Sequence, residues 1–294
     1  MRTGGPRRPG TTLGAVPAFL PEIVAAHRRM AAADDRDPGE LLARALETPA
    51  PRPFAGALAA GRTTGPHGLA VIAEVKRRSP SKGPLAPDLD PAGAAREYAR
   101  GGAACLSVLT DEQFFGGSAA DLAAAREASG LPVLRKDFTV GPRDVCDARL
   151  MGADAVLLIV AALADDELSA LHELAGRAGL DALVEVHDEG ELERALARGP
   201  RLVGVNQRDL TTFDADPARA ERLAARIPPE VVAVAESAIR GADDARRLAD
   251  AGYDAVLVGE SLVTSGDRTA AVRALRGHPV GERGRQGTAC ATIS

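Results

Sequence analysis

No stretch of about 18 consecutive apolar residues occurs in the 294-residue chain, which excludes a transmembrane helix. Cysteine is scarce. Cys105, Cys146 and Cys290 are odd in number and far apart, so neither a disulfide framework nor a zinc cluster is indicated. An excess of positive charge is missing too. The net charge is −5, and a mildly acidic chain carries no general field for nucleic acid or an anionic membrane, so any anion site has to be local. Residues 1–12 are basic and rich in Gly and Pro, but they hold no apolar segment and no cleavage site, so they do not read as a secretory signal. A reducing, cytoplasmic location is expected, with flexible tails at 1–18 and 277–294.

Lysine and asparagine are scarcer than composition alone requires of a charged chain. Only Lys76, Lys82 and Lys136 stand against 33 arginines, and Asn206 is the single asparagine. Compositional bias accounts for the scarcity but not for where the survivors sit, in or just after short apolar runs. A guanidinium stays charged, so Arg cannot replace Lys where a proton has to be given up. The retained lysines are therefore candidate acids or compact anion ligands.

What the chain does have is alternation. Hydrophobic residues make up 45% and charged residues 26%, as in ordinary globular proteins. Eight short apolar runs, at 69–75, 104–109, 132–134, 154–160, 182–186, 202–205, 231–235 and 254–258, fit strands buried on both faces. Eight stretches of helical period follow them, at 92–99, 119–128, 143–151, 165–178, 189–197, 218–226, 242–251 and 268–275. This predicts an α/β fold, a single (β/α)8 TIM barrel over 19–276 with the barrel proper from about residue 69. A doubly wound open sheet is the structural rival, but no Gly-x-Gly-x-x-Gly follows the first run. Two further helical stretches, 22–33 and 39–47, form an N-terminal extension that Pro49, Pro51 and Pro53 bring to an end.

In such a barrel the chemistry sits at the C-terminal strand ends. Glu74 and Lys76 share a face there by alternation; Lys136, Glu185 and Asn206 end or follow later strands. Acids, lysines and an amide gathered at one rim are not explained by packing. Glu236 and His187 are the weakest members of this group. The turns Glu236-Ser237-Ala238 and Gly259-Glu260-Ser261 are short and small, which suits backbone N–H binding of a phosphate. The residues thus describe an enzyme acting on a small phosphorylated metabolite by Lys/Glu acid–base chemistry, with no metal and no cofactor.

At these residues the chain resembles the indole-3-glycerol phosphate synthase family of tryptophan biosynthesis, from about Phe19 to Leu275. The resemblance is carried by Ile72-Ala73-Glu74-Val75-Lys76-Arg77-Arg78-Ser79-Pro80-Ser81-Lys82-Gly83, Leu134-Arg135-Lys136-Asp137-Phe138 and Val203-Gly204-Val205-Asn206-Gln207-Arg208-Asp209-Leu210. Ser107-Val108-Leu109-Thr110 with Phe114-Phe115-Gly116-Gly117-Ser118, and Leu183-Val184-Glu185-Val186-His187, add to it. It implies a barrel with extra N-terminal helical structure that closes the ring of 1-(2-carboxyphenylamino)-1-deoxyribulose 5-phosphate, releasing CO2 and water. It also implies roles. Lys136 is the general acid, Lys76 the holder of the anthranilate carboxylate, Glu185 the general base, Glu74 a second carboxylate and Asn206 a hydrogen-bond partner. Ser79, Phe115, Arg208 and Ser237 belong to the substrate shell, and Ser237, Ala238, Gly259 and Glu260 to the phosphate site. The family usually has Gly where this chain has Ala238, which is strained if that backbone needs a positive φ.

Three rival readings stand beside it. A phosphoribosyl-anthranilate isomerase-like barrel would need a Cys/Asp pair where this chain has Glu74, Lys76 and Glu185. A non-catalytic binding paralogue would not need those residues intact. A paralogue acting on a substituted anthranilate adduct is compatible with every motif. The expected partner is the small phosphorylated substrate, without nucleic acid or membrane, in a monomer or weak homodimer.

Overall fold

Side-chain alternation along eight parallel strands divides the apolar residues of this chain into two sets, and both find a home. In the computed structural model, which describes residues 19–62, 68–80, 82–209 and 214–277, the strands close into a barrel. They are β1 (Ala70–Val75), β2 (Cys105–Leu109), β3 (Val133–Lys136), β4 (Ala155–Ile159), β5 (Asp181–Val186), β6 (Leu202–Asn206), β7 (Val232–Glu236) and β8 (Ala255–Val258). Each pairs in parallel with its neighbours, and β1 joins β8 through Ala70 opposite Ala255. Outward residues such as Val71, Val108, Val156 and Val184 pack against the helices. Inward residues such as Ile72, Cys105, Leu134, Leu157 and Leu183 fill the barrel. The expected single barrel is therefore present. The expected tails fall, apart from Gly277, outside the described residues.

The helices between strands start where the chain supplies caps. Asp90, Ser118, Asp188, Asp216 and Asp267 each accept a backbone N–H of the first turn. Gly102 (φ 89°) and Gly130 (φ 71°) end their helices in the left-handed conformation that glycine adopts without Cβ strain. No helix among the described residues is long and apolar enough to cross a membrane.

The N-terminal extension holds one helix more than the two expected. α1 (Phe19–Ala33) and α2 (Pro38–Leu46) match the expected stretches, while α3 (Phe54–Arg62) follows the three prolines. Its sequence, FAGALAAGR, is apolar on every side and so shows no amphipathic period. It closes the N-terminal end of the barrel: Phe54 and Leu58 are fully buried among the inward residues. Two carboxylates tie it down, one of them, Asp154, fully buried. Asp154 Oδ1 accepts Arg52 N at 2.7 Å, and Asp181 Oδ2 accepts Ala55 N at 2.8 Å. Burying the Phe54 and Leu58 side chains contributes about 1.5–3 kcal/mol each.

Candidate active site

The inward alternation that buries Ile72, Leu183 and Val234 lower down puts Glu74, Glu185 and Glu236 at the opposite, open end of the barrel. With Lys76, Lys136 and Asn206 they line a cavity of about 630 Å³. All the proposed site residues, Ser79, Phe115, Arg208, Ser237, Ala238, Gly259 and Glu260 among them, line the same cavity.

Two ion pairs organise its floor. Lys76 Nζ lies 2.6 Å from Glu74 Oε1, and Ser107 Oγ donates to Glu74 Oε2 at 3.3 Å. Lys136 Nζ lies 3.3 Å from Glu185 Oε2 and 3.7 Å from Glu236 Oε2. Asn206 Nδ2 donates to Glu185 Oε1 at 3.1 Å, while its Oδ1 accepts Arg208 N at 3.0 Å. Both ends of the one asparagine amide are thus engaged, and Asn206 is buried in the wall of the cavity it lines.

Burial and charge divide the three glutamates. Burial alone pushes Glu185 up, but Lys136, His187 and Asn206 outweigh it and bring its pKa below the usual carboxylate range. Glu74 moves in the same direction, with Lys76 and Lys136 opposing burial. For Glu236, burial and the neighbouring Glu185 act together and push it up to about 8, against the pull of Lys136. Its Oε1 is buried with no hydrogen-bond partner. Burial works against the Lys136 ammonium, yet Glu185, Glu236 and Glu74 together raise its pKa. Of the two carboxyl groups within 4 Å of the Lys136 ammonium, Glu185 is thus pushed toward its ionised form and Glu236 toward its protonated one.

The mouth is walled by aromatic and aliphatic side chains. Phe115 ends the short helix Glu112–Phe115, and its ring centroid lies 6.3 Å from that of Phe138. Leu20 and Ile23 of α1 reach over the same cavity. Ser79 sits on a two-residue antiparallel hairpin, Arg78–Ser79 with Gly83–Pro84, that alternation of apolar runs did not reveal. Lys82 pairs with Glu260 across the rim.

Opposite the aromatic wall the chain leaves β7 through Ser237 (φ 66°) and Ala238 (φ 56°), the two positive-φ non-glycine residues among those described. The strain raised by the missing glycine is therefore present. Gln207 Nε2 donates to Ser237 O at 2.8 Å and steadies this turn. Gly259 precedes the short helix Glu260–Val263, whose first N–H groups have no acceptor within it. A Cβ on Gly259 would come 2.3 Å from Glu74 Oε1, so this backbone lies against the charged floor.

Sequence reasoning undervalued Glu236 and gave α1, Phe138 and Ser107 no role here. Glu236 carried a usable signal: it continues the inward alternation of β7 and faces Gly204, where a Cβ would come 2.2 Å from its Oε1. His187 also lies at the site, with Nε2 3.5 Å from Glu185 Oε1 and Nδ1 3.0 Å from Glu191 Oε2; these carboxylates overcome burial and raise it to about 9. The fold further gathers His27, Asp111 and Asp137, whose ring nitrogen and carboxylate oxygens lie within 4.8 Å of one another.

Over residues 20–275 the chain matches the family described as indole-3-glycerol phosphate synthase. It is 58% identical over 210 residues to the indole-3-glycerol phosphate synthase of Nocardioides sp., covering 71% of this chain and 81% of that one. With the enzyme of that name from Micrococcus luteus it shares 53% over 237 residues, 81% of this chain and 87% of the other. With indole-3-glycerol phosphate synthase 2 of Streptomyces coelicolor it shares 51% over 242 residues, 82% and 92% of the two chains. Among solved structures, a thiamine phosphate pyrophosphorylase from Pyrococcus furiosus superposes with a TM-score of 0.55 at 18% identity, over 71% of this chain and 94% of that one; this shows the shared barrel fold alone.

Proposed function

The chain belongs to the indole-3-glycerol phosphate synthase family, and from that premise we propose how its barrel mouth performs the reaction. The substrate is 1-(2-carboxyphenylamino)-1-deoxyribulose 5-phosphate. Its ring closes, CO2 and water leave, and indole-3-glycerol phosphate remains, the work of a carbon–carbon lyase of the carboxy-lyase kind. The observation that carries the assignment of residues is the buried Lys136–Glu185 pair, braced by Asn206, in one mouth with the Glu74–Lys76 pair.

Ring closure turns the substrate ketone into a hydroxyl, so an acid has to meet that oxygen. Lys136 is held as an ammonium by three carboxyl groups, and a developing alkoxide is a strong enough base to take its proton. Lys76, steadied by Glu74, holds the anthranilate carboxylate against the apolar side of the cavity. A carboxylate with one fixed cation and little water loses CO2 more readily than a hydrated one. In the dehydration step Glu185 removes the proton as Lys76 assists departure of the hydroxyl. Glu236, neutral at pH 7, holds Lys136 in place without competing with Glu185 for the role of ionised base.

Phe115 and Phe138 flank the carboxyphenyl ring, and Ser79 and Arg208 bind along the sugar chain. The phosphate lies between the Ser237–Ala238 turn and the Gly259–Glu260 turn, on backbone N–H groups and the Ser237 hydroxyl. The reading draws on no cofactor or metal, and on no partner beyond the small substrate, with the chain a monomer or weak homodimer in the cytoplasm. Turnover of synthetic substrate, followed by indole fluorescence, tests it. Absence of turnover by correctly folded protein overturns the reading, and a preference for a ring-substituted analogue redirects it to a specialised substrate.

A further inference from the structure

His27 stands on α1, outside every motif, yet it touches the aromatic side of the pocket through three elements. Its Nε2 lies 2.8 Å from Asp111 Oδ2 and 3.8 Å from Asp137 Oδ1. Its ring lies 5.3 Å, centroid to centroid, from Phe138. The two carboxylates have second tasks. Asp111 Oδ1 accepts the backbone N–H groups of Phe114 and Phe115, at 2.5 and 3.2 Å. Asp137 Oδ1 accepts Phe138 N at 2.9 Å, and its Oδ2 accepts Thr110 Oγ1 and Arg135 Nη2 at 2.5 and 2.9 Å. The acids that hold His27 therefore also hold the backbone of both aromatic residues, and Asp137 directly follows Lys136. On the same helix, Leu20 and Ile23 reach over the cavity.

We propose that His27 is a positioning residue for the carboxyphenyl ring: as a cation it clamps α1 onto Asp111 and Asp137, fixing Leu20 and Ile23 against Phe115 and Phe138. This rests on the placement of that ring at the aromatic wall. The charges facing His27 are Asp111 after β2, Asp137 after β3, Asp144 on the helix that follows and the Arg135 guanidinium of β3. With His27 charged, two cations meet three carboxylates; without its proton, one cation is left. Burial disfavours the imidazolium, but Asp111 and the neighbouring acids outweigh it and raise the pKa above the ordinary histidine value of 6.5. A folded pKa above the unfolded one means that the clamp is fully set below pH 6.5 and is released as pH rises through the raised value.

The test compares the wild type with His27→Lys, which keeps the cation throughout, and His27→Gln, which never has it. From pH 6.5 to 9 the substrate KM of the wild type should rise about fivefold relative to that of His27→Lys, the change expected when a charge-assisted hydrogen bond becomes a neutral one of about half its strength. His27→Gln should show the raised KM at every pH. The kcat values should agree within about twofold, and inorganic phosphate, bound on the far side of the mouth, should keep its Kd. At pH 9, amide exchange in 19–33 should be faster in the wild type than in His27→Lys. Parallel KM profiles for wild type and His27→Lys overturn the proposal, as does a loss of phosphate affinity and kcat in step with melting temperature. Failure of the underlying functional reading is separate: it shows as no turnover by wild type at any pH, while the exchange comparison still decides the clamp.

Discussion

Replacing Ala238 by glycine should make this protein more stable, although it removes a side chain and loosens the unfolded chain. Ala238 is held at φ 56°. An L-residue pays roughly 1–2 kcal/mol for that conformation, because its Cβ crowds the following carbonyl oxygen. Glycine escapes this cost, but its greater freedom when unfolded takes back about 0.5–1 kcal/mol. The middles of the two ranges leave a gain of about 0.75 kcal/mol, and at roughly 2–4 °C per kcal/mol for a domain of this size the melting temperature should rise by about 1.5–3 °C. Ala238→Val tests the same cause in reverse. A β-branched side chain tolerates positive φ less well than alanine, so the melting temperature should fall. Circular dichroism melts of the three proteins, with and without inorganic phosphate, supply the numbers. Phosphate should protect Ala238→Gly at least as well as the wild type and protect Ala238→Val less, since binding stabilises according to RT ln(1 + [L]/Kd). A glycine variant that melts at or below the wild-type temperature would refute the claim that this turn stores strain.

Other expectations follow from the floor of the site. Lys136→Arg keeps the charge but cannot deliver the proton, so kcat should fall about 10²-fold or more; a variant with over half the wild-type kcat would dismiss Lys136 as the acid. Asn206→Ala removes the amide donor from Glu185 Oε1, which keeps only His187 at 3.5 Å, and the side-chain acceptor of the Arg208 backbone N–H. It should lower both kcat/KM and stability, the latter by about 1–3 kcal/mol, and a normal kcat/KM in a destabilised variant would reduce Asn206 to a turn cap. Glu236 is lifted from 4.5 to about 8, so between those values the native state holds a proton that the unfolded chain has lost. Wild-type stability should fall across that window relative to Glu236→Gln and run parallel to it above pH 8. A melting-temperature difference independent of pH would count against the buried neutral acid.

Much of the architecture was legible because it is written in short-range periods. Eight apolar runs, each followed by a helical stretch, were enough for the barrel, and alternation placed Glu74 and Lys76 on one face. Two of the three lysines that survived the arginine bias line the floor of the cavity, and Lys82 pairs with Glu260 at its rim. What stayed hidden has no local signature. α3 buries Phe54, Ala55 and Leu58 against the barrel but fills its exposed side with small residues, Gly56, Ala59 and Ala60, so no polar face marks it, and Gly61 allows an approach at which a Cβ would lie 2.9 Å from that of Ala104. His27 finds Asp111 across 84 residues of sequence, a distance over which no periodicity reaches. Glu236 was visible as an inward residue, but its proton is a product of closure, which sets Glu185 and Glu74 beside it.

The stopper that α3 makes at the base of the barrel has a consequence for traffic. With Phe54 and Leu58 filling that end, the cavity opens, among the described residues, at the C-terminal ends of the strands, and on the proposed reading everything the reaction takes in or gives off passes there. On the proposed placement of the substrate, carbon dioxide and water leave past the same aromatic and phosphate-binding walls that hold the product, and a new substrate molecule has to wait until that product has gone. Occupancy is therefore exclusive: product and substrate compete for one berth, and the pace of emptying it sets a ceiling on the turnover of the chemistry beneath.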